Sequence, residues 1–161
     1  MSEEMVDIVN EKDEVVGKAT RKEAHEKWLL HRVVHVVVEN GAGKILCLKR
    51  AKNLQKRPGY FSNCAGHVDS QETYEKAAER ELREELGIKS KITFAGKIIH
   101  NDENHNQMVA IFKTKFDGAI KIDKSETESA EFVDLKKIKH GIGAGEKYSP
   151  TFIKVIEKLY G

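Results

Sequence analysis

Cysteine is scarce in this chain, and no long apolar run interrupts its many charges. The 161 residues contain two cysteines, Cys47 and Cys64, with no CxxC or other paired spacing. A disulfide framework is not expected, and the chain reads as a reduced, cytoplasmic protein. The acidic N-terminus lacks an extended apolar stretch, so neither a signal peptide nor a transmembrane helix is expected. Charged residues make up 34% of the chain, yet the net charge is only +2. No overall field of one sign therefore points to nucleic acid or a membrane as partner. Internal repeats and low-complexity linkers are also missing. What remains is a length suited to one domain over residues 1–161, enough for a sizeable core.

Hydrophobic patterning divides that length into mixed elements. Val6 to Val9 and Val15 to Lys18 read as a short hairpin around Asn10 to Asp13, and Thr20 is placed to cap a helix from Arg21 to about Trp28. Arg32 to Glu39 reads as a buried strand that turns through Gly41-Ala42-Gly43 into Ile45 to Leu48. Tyr60 to Ala65 leads into a glycine, and Lys91 to His100 and Met108 to Phe116 read as strands around a polar loop. A short strand at Ala130 to Val133, a helix near Leu135 to Lys139 and a helix opened by Ser149-Pro150 complete the chain. Strands and helices mix without regular βαβ alternation, which predicts an α+β sandwich.

The densest information lies between residues 66 and 88. Thr73 to Leu86 contains no Pro or Gly, and Gly87 suits a C-terminal stop. At 3.6 residues per turn, Tyr74, Ala78, Leu82 and Leu86 form one apolar stripe with Ala77 beside it, opposite Lys76, Glu79 and Arg83. Glu81 and Glu85 fall one turn apart at the edge of that stripe, with Glu84 just beyond, so partly buried carboxylates are expected there. A solvated, ion-paired helix would explain Arg80 with Glu84. It does not explain like charges at 81 and 85, which repel more strongly as they lose water unless a cation neutralises them. Oxygen-only ligands suit a hard divalent ion, Mg²⁺ or Mn²⁺.

Gly66 to Glu72, followed by seven residues and then Arg80-Glu81-Leu82-Arg83-Glu84-Glu85-Leu86-Gly87-Ile88, resembles the Nudix box G-x5-E-x7-R-E-U-x-E-E-x-G-U, with every fixed position filled. The resemblance implies the Nudix fold: an α/β/α sandwich with a mixed curved sheet and the box as loop-helix-loop. It also implies Mg²⁺-dependent hydrolysis of a small-molecule diphosphate and allows a homodimer. Glu81, Glu84, Glu85 and Arg80 are the candidate catalytic residues. Glu81, Glu84 and Glu85, with Glu72 and Ala65, are the candidate metal-binding positions. Arg50, Lys56, Arg57, Gly66 and His67 are candidates for binding substrate, whereas Lys52 reads as solvated loop. Arg80 is expected to hold Glu84 in place.

Wider similarity over roughly residues 5 to 160 points to the branch that includes isopentenyl diphosphate isomerases and related hydrolases. Those isomerases need a Cys directly before the Gly-His pair, where this chain has Ala65, and Cys64 is one residue too early. A one-residue shift in an extended segment turns the side chain to the other face. Their E-x-E pair corresponds here to His105 and Gln107. On these grounds a hydrolase acting on a nucleoside diphosphate-X type substrate is the favoured reading, with the isomerase and a catalytically silent nucleotide-binding module as alternatives. His25 then reads as a surface helix residue and His31 as a capping or packing residue. Glu103, Glu126, Glu128 and Glu131 are unranked candidates for a base outside the box, and Trp28, Tyr60 and Phe61 for stacking.

Overall fold

The computed structural model describes residues 4–161; the first three residues of the 1–161 span lie outside it. Strand β3 (His31–Glu39) is the hub of a nine-stranded mixed sheet. On one side it pairs in parallel with β8 (Asn106–Lys115) over its whole length, from His31 opposite Gln107 to Glu39 opposite Lys115. Its other edge is shared in succession. β1 (Met5–Val9) meets it at His31, β6 (Cys64–His67) at Val33 to Val36, and β4 (Ile45–Arg50) only at Glu39. β4 therefore diverges from β3, carrying β5 (Phe61–Ser62) and β9 (Thr127–Val133), and the sheet splits beside β6. β2 (Val15–Thr20) and β7 (Thr93–Asn101) complete it, paired antiparallel to β1 and β8.

Alternation along β3 explains the layers. Val34, Val36 and Val38 point to one face, where they pack with Leu82, Leu86 and Ala78 of α2 (Tyr74–Leu86). Val33 and Val37 point to the other, against Ile138 of α3 (Leu135–Gly143) and Phe152 and Val155 of α4 (Pro150–Tyr160). The result is a helix layer on each face of a curved sheet, with α1 (Arg21–Glu26) at one end. Local chemistry sets the helix ends. Thr73 caps α2 through Lys76 N–H, and Gly87 ends it with φ 64°, a left-handed value favoured by glycine. Thr20 and Ser149 likewise cap α1 and α4.

The N-terminal hairpin braces the loop that precedes α2. Asp7 accepts hydrogen bonds from the Ser70 hydroxyl and Gln71 N–H, and Arg21 pairs with Asp69 at 2.8 Å. Among the described residues, no helix is long and apolar enough to cross a membrane. Because Leu82 is fully buried between α2 and the sheet, Leu82→Ala should destabilise the fold by about 2–5 kcal/mol, read from urea denaturation midpoints at unchanged slope.

Candidate active site

The split between β6 and β4 opens a cavity of about 550 Å³. One wall is acidic. Glu81 is buried and Glu85 partly so, one turn apart on α2 and both lining the cavity. Burial, then the neighbouring Glu81, pushes Glu85 up to about 8. Without a cation, this pair is tolerable only by retaining a proton. The buried oxygen donors thus fit a divalent cation, supplied by Glu81, Glu85 and Glu84 on the same helix. Glu84 departs from the sequence reading, since its side chain is 55% exposed; it still lines the cavity.

Arg80 fixes this wall from behind. Its guanidinium donates to both oxygens of Glu72 at 2.9 Å, to Glu81 at 2.8 Å and to the His67 carbonyl at 3.0 Å. The expected contact with Glu84 is the longest, at 3.4 Å. Glu72 needs correction as a metal-binding candidate. Its carboxylate faces Arg80 and accepts from Asp69 N–H, and it does not line the cavity. Paired in this way, it is held below the usual carboxylate range, chiefly by Arg80. Gly66 is also reassigned. Its Cα faces α2, and a Cβ there would fall inside the Glu81 carboxyl group. Glycine at 66 gives Glu81 its space, whereas Ala65 lines the cavity.

A second wall consists of imidazoles, and here the reading of His25 is overturned. His25 is half-buried and lines the cavity, with its Nε2 3.2 Å from His67 Nε2. His31 stacks on His67 at 5.3 Å between ring centroids. His31 does pack, and its Nδ1 bonds the Leu29 carbonyl, but its buried Nε2 has no partner. One nitrogen from each of His25, His31 and His67 lies within 4.8 Å of the others, close enough to share a metal ion. Burial keeps these rings neutral, with His67 lowered to about 3 by desolvation and then by the Arg21 charge. The grouping was not legible in sequence because α1, β3 and β6 meet only after the hairpin folds back.

The rim is basic. Arg50, Lys56 and Arg57 all line the cavity, and Arg50 donates to the Lys56 carbonyl at 2.9 and 3.1 Å, which orders the loop; Lys52 is exposed. His105 overhangs from the loop between β7 and β8. Asp102 organises that loop by accepting from His100, His105 and backbone N–H groups. Burial opposes ionisation of Asp102, but these donors outweigh it and hold the carboxyl at about 2. Of the outlying acids, Glu126 lines the cavity, whereas Glu128 pairs with Lys49 and Glu103 and Glu131 are exposed elsewhere. The aromatic candidates stand apart. Trp28 donates to the Asp102 carbonyl, and Phe61 packs on Tyr148.

Two outcomes are expected. The raised Glu85 carboxyl stabilises the metal-free fold below the ordinary carboxyl pKa, and that stabilisation is lost as pH rises through about 8. Mg²⁺ competes with the same proton, so it should raise the melting temperature more at about pH 8.5 than at about pH 6, and Glu85→Gln should abolish the difference. In thermal-shift titrations, Gly66→Ala should lose the Mg²⁺ response by displacing Glu81.

A NUDIX domain model matches residues 29–152. Over 158 residues the chain is 31% identical to the uncharacterized Nudix hydrolase YfcD of Escherichia coli (strain K12), covering 96% of this chain and 86% of that protein. A Burkholderia multivorans protein named isopentenyl-diphosphate Delta-isomerase is 30% identical over 139 residues, 83% of this chain and 79% of its own. The crystal structure of DR0079 from Deinococcus radiodurans superposes with a TM-score of 0.83 at 24% identity, over 98% of this chain and 100% of that one. With the complete box and the fold in agreement, the chain belongs to the Nudix hydrolase family.

Proposed function

We propose that the cavity hydrolyses the diphosphate linkage of a nucleoside diphosphate-X type substrate, with Mg²⁺ held by Glu81, Glu84 and Glu85. The observation that carries this reading is the placement of Glu81 and Glu85 one turn apart on α2, both lining the cavity and both desolvated, which makes the pair costly unless a proton or cation is shared between them. When bound, the ion would neutralise charge on the phosphates and acidify a coordinated water.

The chain's own groups account for the rest. Arg50, Lys56 and Arg57 at the rim bind and orient the diphosphate. Arg80 keeps the Glu81 carboxyl in a fixed position. Glu126 is the proposed general base; among the four outlying acids it alone reaches the cavity, and it has no charge partner among the described residues. It takes a proton from the attacking water as the new P–O bond forms, and the bridging P–O bond breaks to release the second phosphate.

A second reading, isomerisation of isopentenyl diphosphate, draws on the His25–His31–His67 cluster and the isomerase-named relatives. The cysteine weighs against it. Cys64 is 1% exposed, lies on the α2 side of β6 and does not line the cavity. Burial and the adjacent Glu85 hold its thiol well above the ordinary range.

The test is a product assay with nucleoside diphosphates, nucleoside triphosphates, sugar nucleotides and isopentenyl diphosphate, with and without Mg²⁺. Mg²⁺-dependent phosphoanhydride cleavage is expected. Glu84→Gln or Glu85→Gln should lower kcat by at least about 100-fold, and Glu126→Gln by about 10²–10⁴-fold, with the melting transition retained. Isomerisation without phosphate release would overturn the reading, and tight binding without turnover would favour a silent module.

A further inference from the structure

The floor of the cavity carries polar groups that the hydrolytic chemistry does not use. His35 of β3, Asn63 just before β6, Gln107 of β8 and Thr151 of α4 all line it, each at least nine-tenths buried. These residues come from separate parts of the chain and meet where one face of the sheet looks toward α4. Elsewhere that face is apolar: Val33, Val37, Val109 and Ile111 pack on Phe152 and Val155. A polar island in such a layer costs stability unless its hydrogen bonds are satisfied.

Only half of that requirement is met within the chain. His35 Nδ1 bonds Asn63 Oδ1 at 2.7 Å. An amide oxygen can only accept, so the His35 ring carries its proton on Nδ1. Complete burial supports the neutral ring by lowering His35 to about 4. The same contact fixes the rotation of the Asn63 amide and leaves its Nδ2 buried with no partner among the described residues. Asn63 is 5% exposed and lines the cavity.

We propose that Asn63 is a specificity-determining residue that donates a hydrogen bond to an acceptor on the organic part of the substrate, a carbonyl or ring nitrogen of a nucleobase, and that His35 is the positioning residue that aims it. This rests on the reading of the cavity as a site for nucleotide-type diphosphates. Register supports the placement. Asn63 lies two residues, about 7 Å along the strand, from Ala65, and both line the cavity with Glu81, Glu84 and Glu85. That distance is of the order of one sugar between a diphosphate and a base. A donor buried in this way discriminates strongly, because a ligand without an acceptor leaves the N–H unpaired.

Binding of uridine, cytidine, adenosine and guanosine monophosphates and of isopentenyl monophosphate, measured calorimetrically on the whole protein without metal, separates this from hydrolysis. At least one nucleotide should bind the wild type more tightly than isopentenyl monophosphate. Asn63→Leu, close in shape but without the donor, should weaken that nucleotide roughly 10- to 100-fold and leave isopentenyl monophosphate unchanged. Should Asn63→Leu fail to fold, Asn63→Asp, which replaces the donor with an acceptor, should give the same selective loss. His35→Leu should reproduce the effect, and His35→Gln, whose amide can still donate to Oδ1, should recover part of it.

Equal binding of nucleotides and isopentenyl monophosphate, or an equal loss for both in Asn63→Leu, would overturn the proposal. So would a His35→Leu variant that binds as the wild type does. Asn63-dependent nucleotide binding without diphosphate cleavage would leave this subsite standing and refute the hydrolytic reading. Cleavage of all diphosphates with equal efficiency would do the reverse.

Discussion

Arg80 is the point on which the site depends. One planar guanidinium joins three pieces of chain: Glu72 at the end of the loop, Glu81 on the helix and the His67 carbonyl on the strand. A lysine could not replace it, because the geometry uses the fixed fork of donors that only guanidinium provides. The adjacent carboxylates raise its affinity for the proton still further, with the Glu72 hydrogen bonds as the largest cause. Exposed ion pairs contribute little to stability, but this one is largely sheltered and multiply bonded, and it sets the orientation of Glu81.

From that anchor the two walls follow. The backbone of His67 is tied to Arg80 on the acidic side, while its ring faces His25 and His31 on the other. Strand β6 is therefore the seam between a carboxylate cluster and an imidazole cluster, and its short length matters. Four residues pair with β3 on one edge and leave the other free, so Ala65 lines the cavity. A longer β6 paired on both sides would close the cavity. The divergence of β4 from β3 after a single paired position keeps it open.

The walls also differ in how they respond to protons. The Glu81–Glu85 pair gains a proton relative to the unfolded chain, whereas the buried histidines lose one. In the metal-free protein the first loses stabilising effect as pH rises and the second as pH falls, so the fold is most stable between them. Oxygen donors on one side and neutral nitrogen donors on the other also differ in the ions they suit, hard for the first and softer for the second.

How much of this was legible beforehand depended on the range of the interactions. The α2 stripe of Ala78, Leu82 and Leu86, its Thr73 cap and Gly87 stop, and the crowding of Glu81 with Glu85 all follow from spacing along one helix. The sequence alone therefore determined the helix, its buried acidic edge and the likeness to a diphosphate-hydrolysing family. Tertiary structure decided the rest. It exposed Glu84, turned Glu72 onto Arg80 and gave Gly66 the task of making room for Glu81. It also brought His25 from α1 to His67, and His35 to Asn63 across 28 positions of chain. Those contacts depend on which strand lies beside which and in what register. Closure between distant segments determines that, and local periodicity carries no record of it.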